Sequence, residues 1–330
     1  MNKNQRQTAL IVLLIIGAIA IFSYLRNRKP QEPEPVPGPV SGKLVIRFLD
    51  IGQGDAELIQ LPTGETILID SGDRGKPTVD LLKGYGVREI NLAIATHPHA
   101  DHIGEMRDVM RAFKVHEMWD AGFNNPTSTY TNMLLEVKAQ GVKFSTPKQG
   151  ESRRFGDVLI EVLHPGTVLP DENANNASIV VRLTFGGKRF LFTGDTEVQS
   201  WQQMLDTEKD KLRADLLKAA HHGSSNGTTK EILDAVRPSI FTISCAVGND
   251  YHHPHPKVVD LLEKNQNIKP FRTDLQGTIT AVCDGNSIQM STEKQVAAGK
   301  LYLTGDEVAG NVATDDRSPS TGKRGGKKAR

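Results

Sequence analysis

Asn91-Leu92-Ala93-Ile94-Ala95-Thr96-His97-Pro98-His99-Ala100-Asp101-His102 is an apolar run that ends in four potential metal ligands within six residues. The run has the length and composition of a buried strand, and the polar cluster begins where that strand must stop. Imidazole and carboxylate together suit zinc and similar divalent ions. Ligands packed so tightly on a turn point in different directions, so the cluster accommodates two metals. A loop that is polar and only happens to contain histidine is the plainer reading. The position at a strand-to-helix junction argues against it.

The same design recurs further along. Leu191-Phe192-Thr193-Gly194-Asp195 is an apolar strand that stops at Gly then Asp, a place for a carboxylate held at a sheet edge, or simply a tight turn. Leu216 to Ala220 runs into His221-His222-Gly223-Ser224-Ser225, and Tyr251-His252-His253-Pro254-His255-Pro256 puts three histidines on a proline-stiffened loop. Eight of the ten histidines therefore fall into three clusters at element ends, which scattered surface histidines would not do. His116 stands alone and reads as an ordinary surface residue.

A chain of 330 residues with 24% charged residues and a net charge of +1 is not a uniformly basic nucleic-acid binder. Its charge is local: Arg317 to Arg330 holds six basic residues and no acid, a solvated tail or a weak attraction for nucleic acid or an anionic surface. Residues 9–25 are almost wholly apolar and flanked by Lys3, Arg6, Arg26, Arg28 and Lys29. This length is at the lower limit for a membrane span. Ala18-Ile19-Ala20 offers a cleavage site, but the apolar run continues past it, so an uncleaved single-pass anchor is favoured over a removed signal peptide. Either places the rest of the chain outside the cytoplasm. Five prolines between residues 30 and 39 then make an extended spacer. Cys245 and Cys283 lie in strand-like stretches and read as packed thiols, with a disulfide as the alternative in an oxidising compartment.

From residue 43 the pattern predicts strands over 43–50, 56–61, 66–70, 91–96, 158–163, 178–184, 189–193, 215–220, 240–244 and 278–282. Helices are predicted over 78–83, 103–113, 127–139, 198–205, 230–236 and 257–264. Interleaved strands and helices in two similar halves imply an α/β sandwich with helices outside. The expected organisation is an anchor or signal at 1–29, a linker at 30–42, one domain at 43–292 and a disordered basic tail at 293–330.

Taken together, these motifs resemble the metallo-β-lactamase superfamily. More narrowly, Phe48-Leu-Asp-Ile-Gly-Gln-Gly-Asp-Ala56, Ile69-Asp-Ser-Gly72, the 96–104 stretch, Gly194-Asp195, His221-His-Gly-Ser224, His253-Pro-His-Pro256, Arg272-Thr-Asp274, Gly277-Thr-Ile279 and Asp284-Gly285 resemble the C-terminal domain of ComEC competence proteins. The match runs in order over about residues 43 to 290. Two departures stand out. No multi-helix channel segment accompanies the domain here, so DNA uptake through a channel of its own is not expected, and Glu105 stands where the family usually has a second Gly.

The resemblance implies a four-layer αββα sandwich with a two-metal site on one edge, zinc most naturally and manganese as an alternative. It implies His97 and His99 on a first cation, Asp101, His102 and His221 on a second, and Asp195 bridging them. The remaining ligand of the first cation is left to His164 or to Asn175 and Asn176, and Asp70 is expected to orient a ligand. Two cations ~3.5–4 Å apart generate a bridging hydroxide that attacks a phosphoryl or acyl centre without a Ser or Cys nucleophile. Asp101, His222 and His253 are the catalytic candidates, and Asp50, Gln53, Asp55, Ser224 and His255 are expected to line the substrate edge. The activity so implied is a metal-dependent phosphodiesterase acting on DNA or another phosphodiester at the outer face of the cell membrane. The alternatives are hydrolysis of another ester, amide or lactam, and a non-catalytic module that binds DNA or a surface polymer.

Overall fold

The computed structural model describes residues 42–315, so the expected anchor, spacer and basic terminus lie outside the described residues. No helix among the described residues is long and apolar enough to cross a membrane. The first half of the described chain forms strands β1 (Leu44–Phe48), β2 (Glu57–Gln60), β3 (Thr66–Ile69), β4 (Glu89–Ile90), β5 (Leu92–Ala95), β6 (Lys114–Val115), β7 (Glu117–Asp120) and β8 (Lys143–Ser145). Between them stand helices α1 (Thr78–Gly84), α2 (Ala100–Ile103), α3 (Met106–Ala112) and α4 (Ser128–Gln140). The second half supplies β9 (Ser152–Phe155), β10 (Val158–His164), β11 (Val180–Phe185), β12 (Lys188–Phe192), β13 (Leu216–Lys218), β14 (Ile240–Ile243) and β15 (Lys269–Arg272). Its helices are α5 (Val198–Thr207), α6 (Lys230–Val236), α7 (Pro256–Lys264) and α8 (Thr273–Gln276). Strands β16 (Ile279–Cys283) and β17 (Ile288–Thr292) and helix α9 (Gly305–Asp315) follow.

Two sheets result. One runs β17-β16-β1-β2-β3-β5-β7-β8, the other β15-β14-β13-β12-β11-β10-β9. Each is antiparallel at one end and parallel at the other, with β3, β5, β7 and β8 parallel in the first and β12 to β15 parallel in the second. The last hairpin returns to pair β16 with β1, closing the first sheet with chain from its far end.

Side-chain alternation sets the layers. In β5, Leu92 and Ile94 enter a core between the sheets, while Ala93 and Ala95 face helices α1 to α4. In β12, Phe190 and Phe192 enter the shared core and Leu191 faces α5 to α7. Phe48 and Phe192 stack across the sheets with ring centroids 6.2 Å apart. Burying each such ring contributes about 1.5–3 kcal/mol. The outer helices cover both faces through Met106, Val109 and Met133 on one side and Trp201, Leu233 and Leu262 on the other. This is the αββα order expected, and it leaves the carboxyl ends of the parallel strands uncovered.

Several expectations change. The helix predicted over 103–113 is broken into α2 and α3 at Gly104 and Glu105. A Cβ on Gly104 would sit 2.4 Å from the Arg74 nitrogen, so the break lets the 73–76 turn pack directly on the helix entry. Glu105 is buried there, and its carboxylate accepts the Gly75 N–H at 2.6 Å. Strands β4, β6, β7, β8, β9, β15 and β17 were not expected: β4 and β6 are two residues long, β8, β9, β15 and β17 lie at sheet edges, and the internal β7 carries Glu117 and Asp120 in a run of four. Both cysteines are free and buried, the packed-thiol reading. The tail expected to be disordered from residue 293 instead carries a 3-10 turn at Ala298–Tyr302 and helix α9, with Leu301 and Val308 buried. Gly305 N–H donates to Pro254 O at 3.1 Å, so this segment braces the 246–255 loop.

Candidate metal centre

Every donor sits just past a parallel strand: Asp70 after β3, His97 to His102 after β5, Asp195 after β12, and His221 and His222 after β13. Asp70 is fully buried at φ 55° and accepts from Thr96 N (2.8 Å), Thr96 Oγ1 (2.6 Å) and His102 Nδ1 (2.7 Å). These bonds fix two tautomers. His102 donates through Nδ1, so Nε2 is the atom it turns toward the centre. The Thr96 hydroxyl proton is committed to Asp70, so Thr96 Oγ1 accepts from His97 Nδ1 at 3.2 Å and His97 Nε2 is left bare. It lies 3.0 Å from His99 Nδ1.

Asp195 closes the group. Its Oδ1 is 3.2 Å from His102 Nε2, and its Oδ2 is 3.5 Å from His222 Nε2, 3.6 Å from His221 Nε2 and 4.0 Å from His97 Nε2. Asp101 Oδ2 is 3.3 Å from His222 Nε2. Asp101, His102, Asp195 and His222 offer ligand atoms all within 4.8 Å of one another. The sequence assigned this place to His221; the geometry puts His222 there. His222 is buried with Nδ1 donating to Ser244 O at 3.0 Å, which aims Nε2 at both carboxylates. His221 is partly exposed, and its Nδ1 faces Glu197 Oε1 at 3.3 Å. Both adopt left-handed backbone, φ 50° and 53°, an arrangement costly for side-chain-bearing residues and typical of functional turns.

The other expected residues separate into those that reach the centre and those that do not. A cavity of about 640 Å³ opens over it, lined among others by Gln53, His99, Asp101, Asp195, His221 and His253. Asp50 is outside that lining, its backbone N–H bound to Thr278 Oγ1. Ser224 is buried in the turn, donating its N–H to His221 O. His255 accepts from Ser225 N and donates to Tyr251 O, so it ties the loop instead of facing substrate. His164 lies buried outside the lining with Nδ1 on Ser178 O, and Asn176 spends its carbonyl on Glu197 N and Ser200 Oγ. Asn175 alone of those three alternatives lines the cavity, its Nδ2 on Glu197 Oε1 at 2.9 Å. His116 pairs with Glu89 on the surface at 3.0 Å.

Asp55 is not at the substrate edge but beneath the donors. It is buried, forms an ion pair with buried Lys218, and places Oδ1 3.3 Å from His222 Nδ1. Lys218 was missed as a functional residue. Its signal was a lone charge within the apolar run Leu216 to Ala220. The turn that carries Asp55 presses on Asp101: a Cβ on Gly54 (φ +122°) would lie 2.2 Å from Asp101 O. Gly54→Ala should therefore push the 97–102 turn off its position. We expect a lower Tm and weaker zinc binding, both measurable by calorimetry; an unchanged zinc affinity would show that the contact is dispensable.

The charges are strongly interdependent. Burial lowers His97 well below the ordinary range, with His102 adding to it. Burial would also lower His102 and His222, but Asp195 with Asp70 outweighs it at His102, and Asp195 with Asp55 raises His222 to about 10. Asp195 is held well below the usual carboxylate range: burial opposes this and His102 and His222 prevail. His222 thus keeps a proton in the folded, cation-free chain that the unfolded chain loses near pH 6.5. That contribution to stability is complete below pH 6.5 and disappears as pH rises through about 10. In chelator, Tm should fall between pH 7 and 8.5, and should fall less in His222→Gln; a flat profile in the parent chain would contradict this.

The residues fit a cation. Nε2 of His102, Nε2 of His222 and Oδ1 of Asp195 are buried and have no hydrogen-bond partner, which is costly unless something else satisfies them. Two carboxylates and two imidazoles are also the donor set that divalent ions prefer. This is a His/Asp cluster able to bind metal ions.

The chain is 30% identical to ComE operon protein 3 of Bacillus subtilis over 71% of its own length and 32% of that protein's. It is 28% identical to Recombination protein 2 of Haemophilus influenzae over 66% of its length and 26% of the relative's. Competence protein ComA of Neisseria gonorrhoeae is 24% identical over 81% of this chain and 34% of that protein. The chain thus spans about a third of the length of these relatives or less. Among solved structures, the metallo-β-lactamase fold protein YhfI of Bacillus subtilis is 15% identical, covering 73% of this chain and 100% of that one at a TM-score of 0.48. Residues 49–247, which hold the whole donor cluster, match the model of the metallo-β-lactamase superfamily, and the chain belongs to that superfamily of metal-dependent hydrolases.

Proposed function

We propose that the protein is a metal-dependent phosphodiesterase that cleaves nucleic acid. One observation carries the reading: Asp101, His102, Asp195 and His222 converge at the floor of an open cavity with unpartnered buried donor atoms. Two of the relatives carry the names Competence protein ComA and Recombination protein 2, which is in keeping with a nucleic-acid substrate. His97 and His99 would hold one cation, Asp101, His102 and His222 the other, with Asp195 between them. Zinc suits this set, and manganese is the alternative. When bound, the cations polarise a phosphoryl oxygen and lower the pKa of a water to near neutrality.

The protein's own groups divide the remaining work. Asp70 and Ser244 O hold His102 and His222 in the tautomers that present Nε2. His253 lines the cavity, but burial, with His222 and His221 beside it, lowers it to about 3, so it stands neutral at pH 7 and does not supply a proton. His221 is better placed for that step. It lines the cavity with Nδ1 facing the Glu197 carboxylate and Nε2 3.6 Å from Asp195 Oδ2, a place from which to protonate a leaving oxygen. The two adjacent histidines thereby exchange the roles that the sequence suggested. We place the domain outside the cytoplasm, tethered by the apolar segment at 9–25 and spaced by the prolines after it. Protease accessibility in intact cells tests that placement.

The activity test uses the purified full chain loaded with zinc or manganese. It is offered single- and double-stranded DNA, bis(p-nitrophenyl) phosphate and nitrocefin, beside Asp101→Ala. Phosphodiester cleavage that chelator and the substitution both abolish is the expected result. Nitrocefin or ester turnover with inert DNA would overturn it, as would DNA binding that is indifferent to chelator and never followed by cleavage.

A further inference from the structure

One wall of the cavity is unlike the rest. The loop from Ala246 to Tyr251 forms it, and Tyr251 at its rim is 59% exposed. The Tyr251 ring lies nearly parallel to that of His253, 19° between planes and 5.8 Å between centroids. His253 is buried, so one face of Tyr251 is backed by a fixed ring and the other is open to solvent. A large aromatic held open beside a donor cluster is a poor use of apolar area unless something stacks on it.

The platform is rigid. Asn249 donates to Ala246 O and His253 O, both at 2.8 Å, and accepts His253 N–H at 2.9 Å, closing the loop on itself. Helix α9 backs it through Gly305 N–H on Pro254 O and a 2.6 Å pair between Asp306 and His252. Its conformation is set before any ligand arrives, so binding loses little loop entropy.

Lys76 is the sole lysine or arginine among the lining residues. No ion pair holds its ammonium among the described residues, and it leans over the Gly52 turn, 3.1 Å from where a Cβ on Gly52 would be. Beside it Gln53 accepts Ala246 N–H through Oε1 and leaves Nε2 without a partner. Asp250 and Asp73, the latter in the same turn as Lys76, also line the cavity, which leaves Lys76 and the free Gln53 amide as the groups there that favour an anion. The cavity therefore offers an aromatic face at its rim, a cation and an amide donor beside the Ala246 end of the same loop, and the donor cluster in its lining.

We propose that this cavity selects single-stranded nucleic acid, with Tyr251 stacking on an unpaired base and Lys76 with Gln53 holding the phosphate next to the scissile one. The proposal rests on the phosphodiesterase reading of the same site. A base in a duplex is stacked on both sides and cannot turn to the Tyr251 wall while its phosphate reaches the floor. An unpaired base can, and stacking tolerates any base identity.

The test measures binding, with fluorescence anisotropy of the zinc-loaded full chain. The probes are a phosphorothioate oligothymidylate of about eight nucleotides, within the site size usual for single-strand grooves, an abasic strand of equal length, and a duplex. Tyr251→Ala should weaken oligothymidylate binding about tenfold or more, the size of one lost base stack, and remove the preference over the abasic strand. Tyr251→Trp should retain that preference, which a merely structural role for the phenol would not allow. Lys76→Ala should weaken both strands alike and reduce the salt slope by about one.

Duplex binding as tight as single-strand binding would overturn the proposal. So would a Tyr251→Ala chain that still prefers the base-bearing strand, or a Lys76→Ala chain with unaltered affinity and salt slope. Failure of the two readings is distinguishable. Strand binding that depends on Tyr251 without any phosphodiester turnover would remove the enzymatic reading and leave the platform. Turnover with no contribution from Tyr251 would do the reverse.

Discussion

Asp195→Asn should abolish hydrolysis and release cation from the whole centre, because no other side chain faces so many of its donors. Its two oxygens lie 3.2 to 4.0 Å from ring nitrogens of His102, His222, His221 and His97. The histidines keep its carboxyl well below the usual range against the effect of burial, so it is charged at any pH where the protein would work. Asn keeps the volume and removes the charge. An amide nitrogen would moreover oppose an imidazole or a cation where an oxygen stood. Removing a ligand that stabilises developing charge costs several kcal/mol, so kcat/KM should fall about a thousandfold or more. Zinc content after dialysis, read by elemental analysis, should fall in parallel. A variant that retains a full complement of zinc and near-parental turnover would show that Asp195 does not bridge the centre.

Legibility of this fold from sequence followed burial. Strands buried on both faces, such as β5 and β12, announce themselves as short apolar runs, and the donors are visible because they sit immediately past those runs. Edge strands carry no such signature: β9 reads Ser-Arg-Arg-Phe with no fully buried residue, and β15 contains Pro270. Helix α9 escaped notice because its few apolar positions are interrupted by glycine and lie next to a basic terminus. The order of His221 and His222 could not be read from two adjacent letters. It depends on which ring finds Ser244 O behind it, a contact between β13 and β14 that is local in space and distant along the chain. Asp55 was misplaced for the same reason. A Gly-Gln-Gly-Asp turn looks like an exposed loop until Lys218, 163 residues away, is found beneath it.

That buried pair is the site of the second large effect. Lys218 and Asp55 are each 1% exposed, and Glu57, also 1% exposed, lies nearby with its carboxyl raised well above the ordinary range by burial and by Asp55. Desolvating two charges costs several kcal/mol, which their attraction offsets while both remain. Lys218→Met removes one partner and keeps the methylene stem, leaving Asp55 charged in an apolar sheet. Breaking a buried pair in this way costs about 3–5 kcal/mol, which in a domain of this size lowers Tm by roughly 6–20 °C. Asp55→Asn should be similarly harmful, since Lys218 then has no carboxylate in contact. The double variant should be less destabilised than the sum of the two, with a coupling of about 1–3 kcal/mol by double-mutant cycle. The site should respond as well. With Lys218 gone, the Asp55 carboxylate is answered only by His222 Nδ1 at 3.3 Å and His102 Nδ1 at 3.8 Å, so it holds protons on those rings more firmly. Zinc must displace those protons, so its affinity at pH 7 should weaken in Lys218→Met and recover in the double variant. Additive Tm losses, or zinc affinity that ignores Lys218, would mean that the pair supports the fold alone and does not tune the centre above it.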